Sequence, residues 1–118
     1  MKKVLFVWLI GLHLFYVNAH YQDIIINGKV VAKGSRECES RYQAIEVILK
    51  KYKRPITMLD IGASEGFFSF RAAQDGATCV MIEGNYASES QESTADNLEQ
   101  LCEQNTNLST IMLLKKNI

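Results

Sequence analysis

Residues 56–86 read ITMLDIGASEGFFSFRAAQDGATCVMIEGNY, and the order of residue types in this stretch decides the fold. An apolar run from Ile56 ends on Asp60, and the chain then turns through Gly62 and Gly66. FFSFRAAQ follows with helical spacing, placing Phe67, Phe70 and Ala73 on one face, and Gly76 stands where a helix C-terminus favours glycine. A second apolar run, Thr78 to Ile82, ends on Glu83. The pattern is strand, glycine turn, helix, strand, with a carboxylate at the tip of each strand. It predicts an α/β chain with a parallel sheet.

In an open parallel sheet, ligands sit beyond the carboxyl ends of the strands. A tight turn there lets the backbone approach, and a helix N-terminus offers free N–H groups. Gly62 and Gly66 suit such a turn, because glycine adopts positive φ and carries no Cβ. Glu83 lies about twenty residues further on, where a carboxylate accepts both hydrogen bonds of a ribose diol. Together these residues describe a pocket for an adenosine-type ligand.

The glycine spacing is not that of the dinucleotide fingerprint, G-x-G-x-x-G. D-I-G-A-S-E-G instead resembles motif I of the class I S-adenosylmethionine-dependent methyltransferases, and Glu83 matches the ribose-binding carboxylate of that family. The resemblance implies S-adenosyl-L-methionine as cofactor. Asp60, Gly62, Ala63, Ser64 and Gly66 would line its methionine end, and Glu83 would hold its ribose hydroxyls. The family often has glycine where this chain has Ser64. It also often recognises adenine with a polar residue just past the third strand, where Asn117 is the nearest match. The resemblance covers about Ile56 to the C-terminus; it implies a methyl acceptor without identifying it, and no catalytic residue is assigned.

Around this stretch the chain divides into an apolar segment at 1–19, a hairpin and amphipathic helix at 20–55, and the α/β unit at 56–118. Lys2 and Lys3, the apolar run VLFVWLIGLHLFYV and the ending Val17-Asn18-Ala19 have the build of a secretory signal peptide. This predicts export or membrane association; a buried N-terminal helix in a cytoplasmic protein is the alternative. The two readings pull against each other, because S-adenosylmethionine is a cytosolic metabolite.

DIIINGKVVAKG, from Asp23, places Asn27-Gly28 between two β-branched runs, a hairpin signal with a type I′ turn. Ser35 to Tyr52 reads as a helix capped by Ser35, with Tyr42, Ile45, Ile48, Leu49 and Tyr52 at helical spacing. Lys50, Lys51 and Lys53 suit its C-terminus, and Pro55 stops it. After a polar stretch that includes Tyr86, a helix from about Glu89 to Gln104 turns Ala95, Leu98, Leu101 and Cys102 inward. TIMLL, Thr110 to Leu114, is the third strand.

The 118 residues hold at most one domain, with 13 Lys plus Arg against 13 Asp plus Glu. Zero net charge without a basic block argues against direct nucleic-acid binding. Cys38, Cys79 and Cys102 are too dispersed for a zinc site, and Cys79 reads as a core residue.

Right-handed crossovers order the three strands 3-2-1, with strand 56–61 at the edge. The expected architecture is therefore the N-terminal half of a Rossmann-like methyltransferase sheet, preceded by a β-hairpin and a helix. In the family a fourth strand pairs on the free side of the first, and the remainder of the domain supplies acceptor-site residues. The sequence thus reads as a truncated methyltransferase with weak or absent turnover, or as a non-catalytic remnant that binds the cofactor. The unpaired edge invites self-association, with the hairpin as a candidate partial cover.

Overall fold

A computed structural model describes residues 20–84 and 94–116. The readings of residues 1–19, Tyr86, Asn117 and the helix start at Glu89 lie outside the described residues. Eight elements follow in order: β1 (Ile24–Ile26), β2 (Lys29–Ala32), α1 (Cys38–Lys51), β3 (Thr57–Ile61), α2 (Phe67–Gln74), β4 (Thr78–Gly84), α3 (Thr94–Gln104) and β5 (Ile111–Lys116). β3, β4 and β5 form one parallel sheet with β4 in the middle, which is the expected strand order. β1 and β2 make a separate antiparallel hairpin.

Strand register sorts the side chains into two faces. Met58 pairs with Cys79, Asp60 with Met81, Cys79 with Ile111 and Met81 with Leu113, so all of these share one face. The helices cover it: Cys38 and Tyr42 of α1, Phe67, Phe70, Ala72 and Ala73 of α2, and Leu98 of α3 join Cys79 and Met81 in one core. Phe67 and Phe70 are fully buried, and such burial stabilises by about 2–3 kcal/mol for each ring. α2 ends as its sequence suggests. Gly76 N–H donates to Ala73 O and Ala77 N–H to Ala72 O, with Gly76 at φ 97°, which is a Schellman C-cap.

The opposite face is a different surface. Leu59 pairs with Val80 and Val80 with Met112; Ile61 pairs with Ile82 and Ile82 with Leu114. Of these six aliphatic residues, Leu59, Ile61, Met112 and Leu114 are 45–74% exposed. Among the described residues, no helix packs on this face.

The hairpin forms at Asn27-Gly28 as read, with φ of 47° and 85°. It does not cover the edge of β3. Ile25 sits in the core against α2, and buried Asn105, just past α3, fixes the hairpin by accepting Asn27 N–H at 3.0 Å and donating to Ile25 O at 3.1 Å. Among the described residues the outer edge of β3 pairs with no strand.

α1 departs from the sequence reading in two respects. Ser35 is not its cap: Ser35 N–H donates to His20 O and Arg36 N–H to Tyr21 O, so these residues run alongside 20–21 and the helix begins at Cys38 behind Glu37. Its apolar stripe is also only partly used. Tyr42 is buried and Ile45 and Leu49 pack on the core, whereas Ile48 and Tyr52 are exposed, together with Val47. β5 runs two residues beyond Leu114, because Lys115 and Lys116 still pair with Glu83 and Gly84.

Candidate functional site

The turn after β3 is held by the neighbouring strand. Gly62 and Ala63 N–H both donate to Ile82 O, at 2.8 and 3.2 Å, which carries the β3–β4 ladder past the end of β3. Ser64 N–H then donates to the Glu83 carboxylate at 2.6 Å, and Gly66 N–H closes the turn on Ala63 O at 2.8 Å. Every second residue of the turn is left-handed: Gly62 at φ 74°, Ser64 at 56° and Gly66 at 76°. A serine in that region costs on the order of 1 kcal/mol or more, consistent with a position where glycine is the easier residue.

The two glycines differ in what surrounds them. A Cβ on Gly66 would stand 2.7 Å from the Phe70 ring and 2.8 Å from Leu98 Cδ1, so this glycine lets the turn lie against the core. A Cβ on Gly62 would meet nothing within 4 Å. The backbone of Gly62 thus borders open space at the carboxyl end of β3.

Most of the turn's N–H groups are already engaged within the protein. Ala63, Ser64 and Gly66 are satisfied as above, and Phe67 N–H, at the start of α2, donates to Gln22 Oε1 at 3.1 Å. Glu65 reaches the same segment from the other side, accepting Tyr21 N–H at 2.9 Å and Gln22 N–H at 3.3 Å, and also bonds Ser64 Oγ. Gln22 therefore takes the first N–H of α2, one of the groups an anion at a helix N-terminus would use. Sequence reasoning missed Gln22 and Glu65 because a side chain bonding backbone over forty residues away leaves no periodic trace.

Asp60 and Glu83 lie on the same, helix-covered face, since Asp60 pairs with Met81, two residues before Glu83. Asp60 accepts Ser69 Oγ–H at 2.7 Å; burial raises its pKa above the usual carboxylate value, opposed by the Ser69 bond. Glu83 is 6% exposed. Its second oxygen lies 3.2 Å from the Thr94 hydroxyl at the start of α3, a contact between residues eleven apart that no local pattern signals. A carboxylate has roughly four acceptor positions, and these two contacts leave some of them unused.

The cavities do not merge into one pocket. One of about 350 Å³ lies between the turn, the hairpin and α3, lined by Ser64, Glu65, His20, Ile24, Thr94 and Leu98 among others. Asp60 instead borders a shallow groove at the β3 edge with Arg41, Ile45, Met58 and Phe68. The structure thus brings Gly62, Ala63, Ser64, Gly66 and Glu83 together through backbone bonds, with Asp60 one strand step below them. Among the described residues no cluster of His, Cys, Asp or Glu has the geometry to hold a metal ion.

No protein-family model and no curated protein matches the chain. Solved structures do. The bifunctional kinase-methyltransferase WbdD matches 86% of this chain at 23% identity and a TM-score of 0.57. The N-terminal domain of EvdMO1 with S-adenosylhomocysteine (SAH) bound matches 91% at 16% identity and a TM-score of 0.53. The chain spans 22% of the WbdD chain and 44% of the EvdMO1 chain. At these identities the likeness establishes the fold: hairpin, helix and three-stranded parallel sheet are part of a methyltransferase-like α/β architecture.

Proposed function

We propose that this chain carries the cofactor half-site of an S-adenosylmethionine-dependent methyltransferase. The observation that carries the reading is the turn from Gly62 to Gly66. It is tied to the tip of β4 through Glu83, it opens to space above Gly62, and the N–H groups of Gly62, Ala63, Ser64 and Gly66 are already bonded within the protein. A turn with most of its N–H groups engaged is less suited to a pyrophosphate, which disfavours a nicotinamide or flavin dinucleotide. Carboxylates suit a ligand that brings hydroxyls and positive charge, as a sulfonium nucleoside does. A neighbour of the same fold is described with SAH bound.

In this reading Glu83 accepts the ribose hydroxyls, and the Gly62–Gly66 backbone and Asp60 lie along the methionine end. The cofactor supplies an electrophilic methyl group, and the protein contributes mainly position, holding donor and acceptor in line. The acceptor is an unassigned nucleophile. Binding without turnover is the companion reading. Residues 1–19 are proposed to direct export or membrane association, and N-terminal sequencing of the mature protein tests that separately. Among the described residues no helix is long and apolar enough to cross a membrane.

Isothermal titration with SAH and with NAD tests the half-site. The proposal expects saturable SAH binding to the wild-type chain, weakened at least tenfold in Glu83→Gln, with NAD weaker than SAH. Equal or tighter NAD binding, or no SAH binding by a folded chain, contradicts it.

A further inference from the structure

We infer that the bare face of the sheet is a dimerisation surface on which two copies of this chain pack sheet against sheet. The face is built in register across all three strands: Leu59, Val80 and Met112 form one row, and Ile61, Ile82 and Leu114 the next. A parallel sheet with one uncovered face is an unstable arrangement, because its strands are apolar on both sides. The uncovered side chains here are long aliphatics, with Ile61 74% exposed and Leu59 and Met112 58% each.

The dimensions fit a second copy. Three strands about 4.8 Å apart and six residues of about 3.3 Å make a plan area of about 280 Å². The side-chain relief raises the accessible area to roughly twice that, so two copies bury about 1,100 Å², above the roughly 1,000 Å² a biological interface needs and in the range of weak, reversible ones. The patch is also self-complementary. No charged side chain interrupts its two aliphatic rows; Lys116 bounds it at the carboxyl end, beside Gly84, and Thr57 and Thr78 bound it at the amino end. A two-fold axis that runs the two sheets antiparallel sets each Lys116 over the amino end of the partner's β5 and keeps the two ammonium groups apart. The chain's zero formal charge adds no long-range repulsion.

This surface differs from the free edge of β3, and the difference is testable. Met112 lies on β5, the strand furthest from that edge. Analytical ultracentrifugation of the full chain over a wide concentration range should show a monomer–dimer equilibrium. Met112→Lys and Ile61→Lys should each weaken the dimer by roughly a hundredfold or more, with unchanged circular dichroism because both positions are exposed. In the unmodified chain, oxidation of Met112 followed by mass spectrometry should slow as concentration rises, a readout that needs no variant. A wild-type chain that stays monomeric at all concentrations overturns the inference, including the case where residues 1–19 cover the face of their own chain. A dimer that survives Met112→Lys, as edge pairing through β3 would, overturns it too.

Discussion

The Ser64 N–H donates to the Glu83 carboxylate at 2.6 Å, across 19 positions of sequence, and so couples the glycine turn after β3 to the tip of β4. One oxygen of a nearly buried carboxylate thereby fixes a serine that is itself held at positive φ. A hydrogen bond to a charged acceptor contributes about 1.5–3 kcal/mol. Glu83→Ala should therefore destabilise the chain by about 2–3 kcal/mol in urea unfolding, and Glu83→Gln, which keeps an acceptor oxygen, by clearly less. Equal losses would mean that Glu83 acts through its volume rather than through this bond.

The three left-handed residues of the turn should respond differently to substitution. Gly66→Ala meets both an unfavourable φ and contacts under 3 Å with Phe70 and Leu98, for a loss of about 2–4 kcal/mol. Gly62→Ala meets the φ penalty alone, about 1–2 kcal/mol. Ser64→Gly removes a penalty and should stabilise by up to about 1 kcal/mol, less whatever its hydroxyl contributes through Glu65. Chemical denaturation of the three variants checks the order, and a Gly62→Ala more damaging than Gly66→Ala would contradict the geometry.

Tyr42 is fully buried in α1, donates its hydroxyl proton to Asp75 at 2.5 Å, and lies under the Arg71 guanidinium, 4.7 Å from ring centroid to Cζ. Burial raises its pKa, and the Asp75 hydrogen bond raises it further. Tyr42→Phe keeps the packing and should cost about 1–2 kcal/mol, most of it from the partner left without its donor. Ultraviolet titration should show no ionisation of Tyr42 ahead of alkaline unfolding.

Asp60 gives a pH dependence of the less familiar sign. Burial raises its folded-state pKa above the ordinary 3.8. Between those two values the folded chain holds the extra proton, so stability falls as pH rises through the window. Above it the ionised Asp60 is a net cost. Asp60→Asn, which can still accept from Ser69, should be more stable than wild type at neutral pH, and the difference should shrink on acidification towards 3.8. A variant less stable than wild type at neutral pH would show that the charge is stabilising.

Much of this architecture was legible because it rests on local chemistry. Asn27-Gly28 specifies its turn, Gly76 its helix end, and the alternation Met58-Asp60 and Cys79-Met81-Glu83 places both carboxylates on the buried side of the strands. What was not legible depends on contacts distant in sequence. Gln22 and Glu65 occupy the turn from opposite directions, and Asn105 anchors a hairpin eighty positions away. The strands are apolar on both sides, as buried parallel strands are. Periodicity could not say that the helices of the described residues cover only one side, nor that Ile48 and Tyr52 would be left outward.

The most direct test of the half-site is a titration of the ¹⁵N-labelled chain with SAH, followed by amide chemical shifts. Gly62, Ser64 and Glu83 are expected to move together and saturate with the calorimetric affinity, while Asn27 and Gly28 in the hairpin turn stay in place. Shifts confined to residues away from the turn, or saturation with the Gly62, Ser64 and Glu83 amides unmoved, would contradict the proposed half-site.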